Sequence, residues 1–117
     1  MRDFKQLQVW QKSHQFVLTL YQVTQNFPQD ELYGLISQIR RAAVSIPANL
    51  AEGCGRNTEA ELRRFCEIAM GSASEVEYQL LLAHDLSYLA DDTYADLNRQ
   101  IIEVKKMLSR FINALRK

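Results

Sequence analysis

Between Tyr94 and Leu115, apolar side chains recur at Tyr94, Leu97, Ile101, Val104, Leu108, Phe111 and Leu115, alternating steps of three and four residues through three heptads. Only an α-helix brings such a series onto one stripe, because a strand repeats every second residue. A long, narrow stripe of this kind is buried by packing against another helix, so this end of the chain already demands helical neighbours. The rest of the sequence agrees. Four glycines and two prolines in 117 residues leave too little turn chemistry for a fold of many short strands.

Three more helical segments are legible upstream. Trp10, Val17, Leu20, Thr24 and Phe27 share one face of a first helix over about 7–26. Pro28, followed by Asp30 and Glu31, suits the first turn of a second helix, where a missing N–H costs nothing and carboxylates meet the positive end of the dipole. Its apolar face runs Leu32, Leu35, Ile36, Ile39, Ala43, Ile46 and Leu50 to a break at Gly53-Cys54-Gly55. Pro47 lies inside it, predicting a kink or local widening, with Ser45 or Asn49 covering freed backbone groups. Thr58-Glu59-Ala60-Glu61 reads as a capping box for a third helix. That helix carries two heptad ladders, Leu62, Ala69, Val76, Ala83 and Cys66, Ala73, Leu80. Phe65, Ile68, Tyr78, Leu81, Leu82 and Leu89 fall outside the ladders and predict a second buried face. Asp91 and Asp92 end the third helix and cap the fourth.

Helices of this length joined by connections of two to five residues run antiparallel to their neighbours. The expected fold is all-α, an up-and-down antiparallel four-helix bundle, with residues 1–117 as a single domain. The composition is 47% hydrophobic and 24% charged, ordinary for a soluble protein, and no apolar run reaches the roughly 20 residues of a membrane span. With no signal-peptide pattern at the start, the expected location is cytoplasmic and no membrane partner is expected.

The chemistry-bearing residues are sparse. A di-iron bundle needs Glu three residues before each ligand His, and Gln11 and Leu81 stand there before His14 and His84. Cys54 and Cys66 match no zinc spacing and are too few for a disulfide framework. No nucleophile-elbow motif occurs. Catalytic residues, metal ligands and cofactors are therefore expected to be absent. Gly53-Cys54-Gly55-Arg56-Asn57-Thr58, leading into a helix N-terminus, can hold a phosphate on its amides or simply be a helix stop, turn and cap. Beside that turn, Arg56 would lower the Cys54 pKa if it lay close to the thiol.

Lys+Arg and Asp+Glu number fourteen each, so no whole-molecule attraction to polyanions exists and any such binding is local. From Arg99 to Lys117, Arg99, Lys105, Lys106, Arg110, Arg116 and Lys117 stand against Glu103 alone, whereas the span from Arg56 to Ala90 is acidic. The cations read either as a phosphate-facing strip or as partners of the helix dipole and of acidic groups on the same or a neighbouring subunit. Arg40-Arg41 and Arg63-Arg64 add paired cations. The candidate nucleic-acid contacts are Arg40, Arg41, Arg56, Arg63, Arg64, Lys105, Lys106 and Arg110.

Gln38-Ile39-Arg40-Arg41-Ala42-Ala43-Val44-Ser45-Ile46-Pro47-Ala48-Asn49-Leu50-Ala51-Glu52-Gly53 resembles the hallmark of the 23S rRNA-intervening-sequence protein family. Val9-Trp10-Gln11-Lys12, Phe27-Pro28, Glu31-Leu32-Tyr33-Gly34-Leu35 and Ala69-Met70-Gly71-Ser72 with Glu75 agree in order and spacing. The resemblance implies a four-helix bundle assembled as a ring, commonly a pentamer. It also implies kinship with the accessory variability protein of diversity-generating retroelements, a basic, nucleic-acid-binding protein that associates with a reverse transcriptase. Independently, the small residues Ala69, Ser72 and Ala73 allow close helix approach and are the expected homo-oligomer interface. The function expected is that of a non-enzymatic, ring-forming adaptor binding RNA or DNA through local basic patches. The alternative is an oligomeric protein-interaction scaffold without nucleic-acid affinity.

Overall fold

In the computed structural model, which describes residues 2–115, four helices follow in order: α1 (Gln8–Thr24), α2 (Leu35–Cys54), α3 (Glu59–Asp85) and α4 (Asp91–Leu115). Short 3-10 turns occupy Phe4–Gln6 and Gln29–Glu31. Each helix packs against its neighbours in sequence, α4 closes against α1, and the diagonal pairs stand apart. The expected antiparallel four-helix bundle is the observed fold, an elongated body of 43 × 24 × 20 Å.

The core follows the heptad stripes. Leu97, Ile101, Val104 and Leu108 of α4 are buried, as are both α3 ladders, Leu62, Ala69, Val76, Ala83 and Cys66, Ala73, Leu80. Facing them are Phe16 and Leu20 of α1 and Ile39, Ile46 and Leu50 of α2, all fully buried. A buried Leu, Ile or Phe contributes about 1.5–3 kcal/mol, against about 0.2–1 kcal/mol for an exposed ion pair, so the stripes and not the surface charges set the helix pairing. Buried polar groups on α1 bond back to their own helix: Ser13 Oγ donates to the Trp10 carbonyl (3.0 Å) and Thr24 Oγ1 to that of Leu20 (2.8 Å).

Several local expectations are corrected. Helix α2 begins at Leu35, not at Pro28; the intervening chain makes the 3-10 turn, and Leu32 is exposed instead of facing the core. The reason is Glu31. Its Oε1 accepts from the Leu35 amide (3.1 Å) and its Oε2 from the Tyr88 hydroxyl (2.8 Å), which caps α2 and ties it to the α3–α4 connection. The capping box at Thr58 is half made: Thr58 Oγ1 accepts from the Glu61 amide (3.1 Å), but the Glu61 carboxylate turns to Arg64 (3.1 Å). Helix α3 is ended not by Asp91 and Asp92 but by Ser87, at φ 67°, with the Tyr88 amide donating to the Ala83 carbonyl (2.8 Å). Helix α2 runs unbroken through Pro47, and Asn49 Nδ2 donates to the Ser45 carbonyl (2.7 Å) and hydroxyl (2.9 Å).

Ala69 and Ala73, expected at an interface between copies, are fully buried inside this chain. The close approach they permit is therefore used within the bundle. Ser72 is half-buried and shares a 2.8 Å hydroxyl–hydroxyl bond with Ser45 of α2. Phe65 and Leu89 are buried too, whereas Ile68, Tyr78 and Leu81 remain at the surface of α3.

Two outcomes test this packing. A Cβ at Gly53 would lie 2.9 Å from Leu62 Cδ1 and 2.9 Å from Phe65 Cβ, whereas one at Gly71 would meet nothing within 4 Å. Chemical denaturation should show Gly53→Ala destabilising by about 1–3 kcal/mol and Gly71→Ala stabilising by up to about 1 kcal/mol. The second outcome concerns pH. The Glu31 carboxyl is held below its ordinary value of 4.5 by the Leu35 amide first and the Tyr88 hydroxyl second. Its contribution is therefore complete above its unfolded pKa and is lost as pH falls through the lower folded value. Glu31→Gln should lower Tm at pH 7, and the gap to the parent should narrow on acidification; a gap that is constant down to pH 3 would remove Glu31 from this role.

Candidate nucleic-acid interface

The antiparallel path brings three separate stretches of sequence to one end of the bundle and two to the other. At one end the Arg2 amide donates to the Cys54 carbonyl (3.0 Å), its guanidinium lies 3.9 Å from Glu59, and it sits over the Phe111 ring at 5.6 Å. The start of the chain, the α2–α3 turn and the last turns of α4 therefore meet there. At the other end Tyr88 packs on Phe27 (5.6 Å), while His84 bonds Asp91 (2.7 Å) and stacks on Tyr94 (4.4 Å).

These two ends differ in charge. The first gathers Arg2, Lys5, Arg56, Arg63, Arg64 and Arg110 against Asp3, Glu52, Glu59 and Glu61. The second gathers Asp30, Glu31, Asp85, Asp91, Asp92 and Asp96, with Arg40, Arg41 and Arg99 as the cations of that half and Arg99 ion-paired to Asp96. A chain of zero net charge is thus a bundle with a basic and an acidic pole. Residues 116 and 117, counted among the basic residues of the fourth helix, lie outside the described residues.

The eight candidate cations fall into three groups. Arg56, Arg63, Arg64 and Arg110 belong to the basic end, and Lys105 and Lys106 sit past the midpoint of α4. Arg40 and Arg41 are in the acidic half and are not brought to the others. Arg40 clamps α2 to α1: its Nε donates to Thr24 Oγ1 (2.8 Å), its Nη2 donates to the Tyr21 carbonyl (3.1 Å), and it stacks on the Tyr21 ring at 4.5 Å. Three more cations are engaged within the bundle. Arg56 pairs with Glu52 (2.8 Å), Arg64 with Glu61 (3.1 Å), and Lys105 with Glu77 of α3 (2.8 Å). Arg56 and Arg64 also flank the Phe65 ring, at 5.0 and 4.6 Å. Arg63, Lys106 and Arg110 have no ion-pair partner among the described residues. Lys106 and Arg110 are exposed on the outward face of α4, and Arg110 borders a shallow hollow with Gln6, Gln8 and Met107.

The loop into α3 gives little room for a phosphate, since the hollow at Cys54, Arg56 and Thr58 measures only about 60 Å³. Cys54 is not activated by Arg56. Burial raises its pKa above the ordinary thiol value, and the nearby Arg2 offsets this only in part. Cys66 is pushed up to about 12, chiefly by burial. Among the described residues no cluster of His, Cys, Asp and Glu is arranged to hold a metal ion, and no helix is long and apolar enough to cross a membrane. The N-terminal cations Arg2 and Lys5 carry no sequence signal of their own; their contribution is visible only once the chain start is laid beside Cys54.

Comparison with known proteins matches residues 5–110 to the model of the 23S rRNA-intervening sequence protein family. A solved structure similar to this chain is that of a protein of unknown function from the S23 ribosomal protein family of Bacteroides thetaiotaomicron. It is 28% identical, with a TM-score of 0.80, and the match covers 89% of this chain and 97% of that one. No curated protein matches.

Thiol reactivity gives a direct check on the cysteines. At pH 8 a thiol with a pKa of about 12 is ionised in about one molecule in 10⁴. Cys66 should therefore resist a thiol reagent in the folded protein and react within seconds in denaturant; rapid labelling of the native protein would contradict its burial.

Proposed function

The chain belongs to the 23S rRNA-intervening sequence protein family, and we propose that it works as a non-enzymatic cytoplasmic adaptor that assembles with its own copies and holds RNA or DNA at its basic end. The observation carrying this reading is the segregation of charge. Net charge is zero, yet folding places Arg2, Arg63, Arg64 and Arg110 at one pole and the Asp-rich turns at the other. Phosphates are attracted by a local field, and a Debye length of about 8 Å at physiological salt is shorter than the 43 Å body, so the acidic pole does not cancel the basic one.

Arg63 and Arg110 of that pole, with Lys106 farther along α4, are the residues assigned to phosphates, because they give up no ion pair of the fold on binding. Contacts to phosphate alone carry no base information, so sequence preference is slight. In a ring whose members stand side by side and parallel, all basic ends share one face and the weak contacts of each copy add as avidity. This is also how a zero-charge chain keeps the polyanion binding that the resemblance implies, with a reverse transcriptase as the kind of protein partner it would serve.

A second reading is favoured by the engagement of Arg40, Arg56, Arg64 and Lys105 inside the bundle. In it the protein is an oligomeric scaffold for other proteins and its cations are structural. Salt titration separates the two. Binding to single- or double-stranded RNA or DNA should weaken with salt at a log–log slope of about 0.7–0.9 per phosphate contact. Lys106→Glu with Arg110→Glu should reduce both affinity and slope, with helicity retained, while Arg99→Glu at the acidic pole should change neither. No binding at low salt would select the scaffold.

A further inference from the structure

We propose that the groove between α2 and α3 is where one copy of this chain engages the next, Arg41 of one reaching Glu75 of another. This rests on the self-assembly just proposed and names the surface that carries it. The groove, about 440 Å³, brings together residues of the two sequence stretches that carry the family resemblance: Gln38, Arg41 and Ser45 from α2, Ser72 and Glu75 from α3. Little of this is needed by the core. A helix–helix seam is more cheaply closed with apolar side chains, yet here it is bordered by hydroxyls, a guanidinium and a carboxylate.

Behind Glu75, at the margin of the groove, lies an unfinished hydrogen-bond set. Gln79 is 4% exposed, and its Nε2 donates to Glu75 Oε2 (3.1 Å), but its Oε1 is buried with no partner. Such an atom calls for a donor. The Glu75 carboxylate itself lines the groove and keeps acceptor capacity, so this wall asks for a cationic donor. The opposite wall supplies one: Arg41 is exposed and spends one nitrogen on Ser37 Oγ (2.9 Å). A guanidinium carries five N–H donors in a planar fork that suits a carboxylate.

Each charge also has its own apolar surround. Arg41 adjoins a hollow of about 580 Å³ that includes Tyr33 and Val44, and Tyr33 is 93% exposed. Glu75 lies between Ile68 and Tyr78 on the outer face of α3, and both of these are exposed. The outward face of α4 has no comparable large exposed apolar side chains among the described residues. One chain therefore carries both halves of a contact, a cation framed by Tyr33 and Val44 and an anion framed by Ile68 and Tyr78. A second copy fits this pairing without any further protein.

The test is a charge exchange followed by sedimentation. Arg41→Glu and Glu75→Arg, both at exposed positions, should each leave helicity unchanged and shift the parent assembly toward monomer, weakening association at least tenfold. Mixing the two variants should restore assembly, since each then meets the opposite charge on another chain. If both singles assemble like the parent, this groove is not the interface, while self-assembly itself stands. If the singles dissociate and mixing fails to rescue them, Arg41 and Glu75 act within one chain and the proposal is overturned. A parent that is monomeric at every concentration would defeat the self-assembly reading itself.

Discussion

The approach of α2 to α3 governs the rest of this molecule. Gly53 leaves no space for a Cβ against Leu62 and Phe65, and Ala69 and Ala73 are fully buried along α3. Small side chains let the two helices lie close, and that closeness brings Ser45 within 2.8 Å of Ser72. It also sets the α2–α3 turn beside the chain start, where the Arg2 amide reaches the Cys54 carbonyl. Both the basic pole and the polar groove follow from that one packing choice. A larger residue at Gly53 would disturb both at a distance from either.

How much of the fold is legible in the sequence depends on how local the determining interaction is. The α4 stripe and the two α3 ladders are legible because a heptad pattern is complete within its own helix. The start of α2 is not, because its cap is Glu31, whose second oxygen is occupied by Tyr88, a residue 57 positions away. Pro28 and the acidic pair after it look like a helix start, and they do make a turn, but a 3-10 one that Gly34 separates from α2. The small residues of α3 mislead for a different reason. A run of Ala and Ser marks a close approach without saying whose helix approaches, and Ala69 and Ala73 are covered by the chain's own helices.

The basic pole shows a third kind of illegibility. Charge counted along the sequence makes the stretch from Arg99 to Lys117 basic and α3 acidic. Folding reassorts the same residues by height along the bundle, because each antiparallel helix contributes its opposite end to a given pole. Arg63 and Arg64 of the acidic helix join Arg110 at the basic end, while Asp91, Asp92 and Asp96 of α4 join Asp30 and Asp85 at the other. A helix-by-helix tally therefore averages over the quantity that matters, and an up-and-down bundle needs the count made across helices at equal height.

Polar residues at the α2–α3 seam then take on a different meaning from polar residues elsewhere. Ser13 is buried and satisfied by its own helix, and Thr24 by its own helix and Arg40, so both are complete within the chain. Asn49 is likewise satisfied by Ser45, whose hydroxyl is in turn bonded to Ser72. At Gln79 that chain of satisfaction stops, next to the exposed carboxylate of Glu75 and across a groove from Arg41. A core residue that lacks a partner either costs stability or acquires its partner on binding. The Glu75 carboxylate that holds Gln79 faces the groove, and Arg41, with N–H groups to spare, lies on the same surface framed by apolar side chains, which is the arrangement expected when the partner is another copy of the chain.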